Sequence, residues 1–139
     1  MSGDCVVDTS ALLATLFAEP ERDAVLVSLA EADTVLLSSC CHLEASIVAV
    51  SRLGPVGQAE LEHLLNVFSV EVASFTPEQA VLAVDAWQRF GKGRHPAGLN
   101  IIDGCSYALA VQSQRPLLAV GGEFARTDVG LVDLSLGRA

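Results

Sequence analysis

The sequence is short of charge and of aromatic rings. Charged residues make up 18% of the 139 and aromatic ones 5%, with one Trp (Trp87), one Tyr (Tyr107) and one lysine (Lys92). So few rings argue against a surface that stacks several bases of a single strand, and Trp87 and Tyr107 are read as core or interface aromatics. No apolar run approaches the roughly 18 residues of a membrane span, and the start lacks a basic region leading into an apolar stretch and a cleavage site. A soluble, cytoplasmic chain with no membrane role is the expectation. The four cysteines, Cys5, Cys40, Cys41 and Cys105, make no Cys-x-x-Cys pair, and His42, His63 and His95 are too scattered to complete a zinc site. They are read as small core residues of a reduced compartment. A phosphate loop, a Gly-x-Ser-x-Gly elbow and a His-Glu-x-x-His pair are all missing, which removes those enzyme classes.

What is abundant is apolar material, 51% of the chain. A chain this long buries about two-thirds of its unfolded surface, enough for one domain over residues 1–139, and the surplus apolar surface is expected to meet another chain. The net charge of −9 hides a polarity. Residues 1–88 hold 13 of the 17 acids and 2 of the 8 bases, so that part carries −11 and the remainder +2. Arg89, Lys92 and Arg94 fall beside His95 in a stretch from Phe90 to Gly98 whose glycines and Pro96 mark a loop. It reads as a local basic patch on an acidic protein.

Short apolar runs alternate with helical periodicity. Strands are expected at Cys5–Val7, Thr34–Leu37, Val70–Ala73 and Leu117–Val120, with a fifth at Val129–Leu134. Helices are expected from Ser10 to Ala18, from Pro20 to Ala32, from the caps Ser38 and Ser39 to Leu53, from Val56 to Phe68, from Thr76 to about Gly91 and from Asn100 to about Ser113. Gly54-Pro55 stops the third helix. Strands separated by helices give an α/β layered domain with a mainly parallel sheet of four to five strands covered on both faces.

In such a sheet, sites form beyond the carboxyl ends of the strands. Asp8 ends the first strand, Glu44 lies on the first turns of the helix after the second, Glu123 follows the fourth, and Asp103 starts the last helix behind the basic loop. Four carboxylates converging on one rim are what a hard divalent cation requires. Each also has a plain alternative. Asp8 or Ser10 caps a helix, Asp103 closes a capping box with Asn100, Glu44 is an exposed helical acid, and Glu123 is a turn residue. Taken together the acids weigh more, because Val6-Val7-Asp8 and Ile101-Ile102-Asp103 set carboxylates in apolar surroundings where burial without a partner is costly.

The segments Asp8-Thr9-Ser10-Ala11-Leu12, Glu44, Gly91-Lys92-Gly93-Arg94-His95-Pro96, Asn100 to Asp103 and Phe124-Ala125-Arg126-Thr127-Asp128 occur in this order along the chain. In that order and spacing the chain resembles the PIN-domain ribonucleases, and among them the VapC toxins of bacterial VapBC toxin–antitoxin systems. The resemblance covers essentially the whole chain. It implies a PIN-like α/β/α sandwich and an endoribonuclease dependent on Mg2+ or Mn2+, with Asp8, Glu44 and Asp103 as metal ligands and Glu123 in the fourth acidic position. It places Ser10 and Asn100 in supporting roles, with Arg89, Lys92, Arg94 and Arg126 against the RNA backbone. It further implies a homodimer, a VapB-type antitoxin partner and a transfer, ribosomal or messenger RNA substrate. The fourth position departs from the family: where a Gly-Asp-Asp-Phe-like segment is usual, this chain reads Gly121-Gly122-Glu123-Phe124. That departure motivates the alternative of a degenerate PIN domain that binds protein without cutting RNA. A phosphotransfer enzyme using Asp8 as nucleophile fits less well. Asp8 is followed by Thr9-Ser10 rather than by a second acid two residues on, and the lone lysine lies in a loop.

Overall fold

The computed structural model describes residues 3–135. Its elements are β1 (Asp4–Val7), α1 (Thr9–Leu16), α2 (Arg22–Glu31), β2 (Thr34–Ser38), α3 (Ser39–Leu53), α4 (Pro55–Val67), β3 (Glu71–Ala73), α5 (Pro77–Phe90), α6 (Ile101–Ser113) and β4 (Leu117–Leu118), followed by a 3-10 turn at Phe124–Arg126. The strands form one sheet in the order β3-β2-β1-β4, every neighbouring pair parallel, with Val6 opposite both Leu36 and Leu117. Among the described residues no helix is long and apolar enough to cross a membrane.

The side-chain alternation of β1 divides the core. Cys5 and Val7 point into a cluster with Leu12, Val25, Leu37 and Leu61, beneath α1 to α4. Val6 points the other way, into a cluster with Ala86, Leu99, Tyr107, Leu117 and Phe124, beneath α5 and α6. The expected α/β/α layering is what forms. Val6, Val7, Leu12, Leu37, Leu117 and Leu118 are wholly buried, each contributing about 1.5–3 kcal/mol relative to exposure.

The expected caps are also present. The Ser38 hydroxyl accepts from the Cys40 N–H and the Thr76 hydroxyl from the Gln79 N–H, while Gly54, at φ 68°, turns α3 into α4 ahead of Pro55. The fifth strand is not formed. Residues 129–134 touch the sheet at one bridge, Leu117 to Leu131, through the Leu117 N–H to the Gly130 carbonyl at 2.8 Å and the Val132 N–H to the Leu117 carbonyl at 3.0 Å. Two causes act together: β4 is only two residues long, following Pro116, and Asp128 fastens the incoming chain to the Arg89 and Tyr107 side chains while Thr127 holds it in a local turn.

Candidate active site

The sheet order fixes where a site can stand. From β1 the chain steps outward to β2 and β3, then returns through α5 and α6 to place β4 on the other side of β1. The crevice at this reversal opens beyond the carboxyl ends of β1 and β4. Asp8 follows β1 directly and caps α1. It is 3% exposed, an environment that a carboxylate tolerates only when fully hydrogen-bonded. Its Oδ2 accepts from the Ser10 N–H at 3.0 Å and the Ser10 hydroxyl at 2.6 Å, and its Oδ1 accepts from the Ser106 hydroxyl. Ser10 Oγ accepts in turn from the Val120 N–H at 3.0 Å, which ties the end of β4 to the end of β1. Cys41 Sγ lies 3.0 Å from Ser106 Oγ. Asp8 is therefore clamped from α1 and α6 in a fixed orientation.

Asp103 stands in the first turn of α6, where a capping box forms: its N–H donates to Asn100 Oδ1 at 2.8 Å and its Oδ2 accepts from the Asn100 N–H at 3.0 Å. The plain reading and the chemical one thus coincide at this residue. Burial pushes the Asp103 carboxyl up to about 6; the Asn100 N–H works against this, and the negative charges of Asp8, Glu123 and Glu44 add to the rise. All four predicted acids accordingly share one electrostatic neighbourhood. Glu44, on the second turn of α3, is half-buried and borders a cavity of about 240 Å³ with Cys40, Leu43, Ile47, Val48 and Ile102.

Glu123 is exposed and folds back over the preceding turn. Gly121 has φ 105°, which calls for glycine, and a Cβ there would stand 2.9 Å from Glu123 Oε2, so that side chain would have to swing aside. Among the described residues no three acid, cysteine or histidine side chains already stand as a ready ligand set. The local bonding explains this: Asp8 is turned to its serines, Asp103 to Asn100, and Glu123 over Gly121. The donor chemistry nevertheless suits a hard cation, being all carboxylate with hydroxyls behind it.

The basic loop is well ordered. The Lys92 N–H donates to the Leu99 carbonyl at 2.9 Å, the Leu99 N–H to the Phe90 carbonyl at 3.0 Å, and His95 Nδ1 accepts from the Ala97 N–H at 3.0 Å while its ring meets Phe90 edge-on. Lys92 and Arg94 are exposed, and the Arg94 guanidinium lies 4.7 Å over the Trp87 ring. Arg126, also exposed, reaches the Pro96 carbonyl at 3.4 Å and so joins the 3-10 turn to this loop. Arg89, also exposed, differs in that its guanidinium donates to Asp85, Asp128 and the Tyr107 hydroxyl. Sequence reasoning missed Ser106, although its place one turn after Asp103 sets both on one helix face.

Comparison with known proteins supplies a frame for this geometry. The family model described as PIN domain matches residues 5–130. The chain is 43% identical over 127 residues to a ribonuclease VapC of Mycolicibacterium smegmatis, covering 91% of this chain and 98% of the relative. It is 41% identical over 125 residues to ribonuclease VapC36 of Mycobacterium tuberculosis, covering 89% and 90%. Among solved structures it resembles Mycobacterium tuberculosis VapC20, a sarcin-ricin loop cleaving toxin, with TM-score 0.75 at 18% identity over 92% of this chain and 98% of that one. It also resembles VapBC2 of Rickettsia felis bound to a promoter DNA fragment, with TM-score 0.74 at 16% identity over 94% and 97%.

Proposed function

The chain belongs to the PIN-domain family and is a ribonuclease of the VapC type; on that premise we propose that it hydrolyses RNA phosphodiester bonds with a divalent cation, Mg2+ or Mn2+, held by Asp8, Glu44, Asp103 and Glu123. One observation carries this reading: at the sheet's switch point Asp8 is buried and held by Ser10 and Ser106, with Asp103 in the first turn of α6 near enough to feel the charges of Asp8, Glu44 and Glu123, an acidic cluster that a cation would neutralise. When bound, such a cation lowers the pKa of a water and offsets charge on a phosphate oxygen.

The chain's own residues prepare the site. Ser10 and Ser106 hold Asp8 in one rotamer at both oxygens, so it is fixed in place before a cation arrives and needs only to share lone pairs with it. Asn100 orients one oxygen of Asp103 and leaves the other free for a ligand. Lys92, Arg94 and Arg126 line the approach as contacts to the RNA backbone, which position the strand without reading its bases.

The same reading places the protein in the cytoplasm as a homodimer neutralised by a VapB-type antitoxin. Its support is the fold shared with toxin–antitoxin assemblies and the apolar side chains left outside the core, among them Leu43 and Ile47, each 60% exposed, and Ile101, 82% exposed.

Calorimetric titration of Mn2+ and Mg2+ into the antitoxin-free protein, with Asp103→Asn as control, tests the site. Binding that the substitution removes, together with RNA cleavage lost in Asp8→Asn, is the expected result. No binding at millimolar metal would overturn it in favour of a protein-binding module.

A further inference from the structure

The segment after β4 carries Glu123 at its start and Asp128 near its end, and within it only Phe124 is buried in the core. Asp128 is held at two oxygens. Its Oδ2 accepts from Arg89 Nη1 at 3.0 Å and its Oδ1 from the Tyr107 hydroxyl at 2.7 Å. Arg89 Nη2 donates to the same Tyr107 oxygen at 2.6 Å, and its Nε donates to Asp85 Oδ2 at 3.0 Å. Three elements, the last turn of α5, the middle of α6 and the chain beyond β4, therefore meet in one closed ring of hydrogen bonds.

We propose that Arg89, Tyr107 and Asp128 form a clamp that positions Glu123, so that Arg89 is a positioning residue of the acidic site and not a contact to phosphate. The inference rests on the cation site proposed above for Glu123.

The segment is stiff enough to transmit such a constraint. The Thr127 N–H donates to the Phe124 carbonyl at 3.1 Å, the Thr127 hydroxyl donates to the same carbonyl at 2.7 Å, and the Arg126 N–H reaches the Glu123 carbonyl at 3.3 Å. Fixing Asp128 thereby fixes the turn that Glu123 opens. Phe124 in the core, Val129 packed beside it and the Arg126 bond to the Pro96 carbonyl also attach the segment; Asp128 adds an ion-paired anchor at its far end. The electrostatics agree. Asp85 and Asp128 around one guanidinium leave a local charge of −1, which opposes a phosphate even though the guanidinium is partly exposed. The Tyr107 hydroxyl and Arg89 hold the Asp128 carboxyl below the usual range, so it stays ionised and keeps both partners.

The two roles predict opposite signs at Asp128. If Arg89 served phosphate, Asp128→Ala would free it and tighten RNA binding; if Arg89 serves the clamp, Asp128→Ala loosens the turn and harms the metal site. We would compare wild type, Asp128→Ala, Arg89→Ala, the double variant and the milder Tyr107→Phe by Mn2+ calorimetry and by amide hydrogen exchange in metal-free protein. The clamp predicts Mn2+ binding about tenfold weaker in each single variant at Arg89 or Asp128, the scale seen when residues behind a ligand are removed. It also predicts that the double variant is no worse than the weaker single one, and that the Arg126 and Thr127 amides exchange faster. Should Asp128→Ala not fold, Tyr107→Phe, which removes one hydroxyl, carries the same two readouts. Unchanged exchange at Arg126 and Thr127 would overturn the clamp, as would unchanged Mn2+ affinity beside tighter RNA binding. If wild type shows no Mn2+ binding that Asp103→Asn removes, the cation reading falls, and the exchange rates alone decide the clamp.

Discussion

Replacing Asp103 by Asn should abolish activity and, without metal, make the protein more stable. The carboxyl is raised from 3.8 to about 6. For an acid raised on folding, the native state holds the proton more tightly, so stability is lost as pH climbs through about 4 to 6 and stays lost above. About two units at 1.36 kcal/mol each give about 3 kcal/mol. The side chain is only partly covered, and solvent screening reduces this to about 1–1.5 kcal/mol. Asn removes the penalty and keeps an oxygen to accept from the Asn100 N–H, but forfeits roughly 0.5 kcal/mol of attraction between an acid and the amino end of α6. The net gain is about 0.5–1 kcal/mol, or about 2–4 °C in Tm for a domain this size. Thermal melts in chelator at about pH 7.5 should show it, and it should shrink toward about pH 3, where the wild-type group is protonated in both states. Added Mn2+ should stabilise the wild type and leave the variant unmoved. A variant that melts lower in chelator at about pH 7.5, or a gain indifferent to pH, would refute the claim that burial, with the neighbouring acids adding to it, raises the Asp103 carboxyl.

Three further outcomes follow from the same geometry. Asp8→Asn should lose RNA cleavage yet keep its far-ultraviolet dichroism and melt within a few degrees of wild type, because Ser10 and Ser106 can still bond the amide, at a cost of about 1 kcal/mol. Gly121→Ala places a methyl against the Glu123 carboxylate at φ 105°; a loss of about 1–2 kcal/mol in denaturant unfolding, with weaker Mn2+ binding as Glu123 is displaced, is expected. Lys92→Ala combined with Arg94→Ala should weaken RNA binding most at low salt and lower the salt slope by roughly 1.4, at about 0.7 per phosphate contact on a single strand; a loss that salt does not change would point to base contacts.

Much of this architecture is local in origin, and so could be read from the chain. The breaks at Gly54-Pro55 and the caps Ser38, Thr76 and Asn100 act on their immediate neighbours, and each appears where its residue type demands. The place of Asp8, at the end of β1 and capping α1, was legible for the same reason. Less legible was what depends on distant partners. Residues 129–134 carry a strand's composition, yet Asp128 is drawn to Arg89 and Tyr107, and the two-residue β4 offers little edge to pair with. Arg89 looks in sequence like the first of a basic run. It is the packing of α5 on α6, with Asp128 arriving from beyond β4, that brings Tyr107 and Asp128 within reach of its guanidinium. Ser106 is silent in sequence because its role depends on a carboxylate 98 residues away.

The same distinction explains how a chain of net charge −9 can engage a polyanion. Most of the acids lie before residue 89, away from the basic loop in sequence, and several bases are spent elsewhere. Arg22 pairs with Asp23, Arg52 covers the Phe17 ring, and Arg115 donates to Thr34 at the start of β2, the end of the sheet opposite Asp8. Among the described residues, and with Arg89 engaged by Asp85 and Asp128 though still exposed, the remaining exposed cations on this side are Lys92, Arg94 and Arg126, two on one loop and the third fastened to it through Pro96. Three phosphate contacts give weak, salt-sensitive binding on their own. Affinity for the reacting phosphate then has to come from the acidic pocket itself, and that pocket attracts phosphate only once a cation has reversed its sign. Metal binding and RNA binding should therefore be coupled in this protein, with each tightening the other by the same factor.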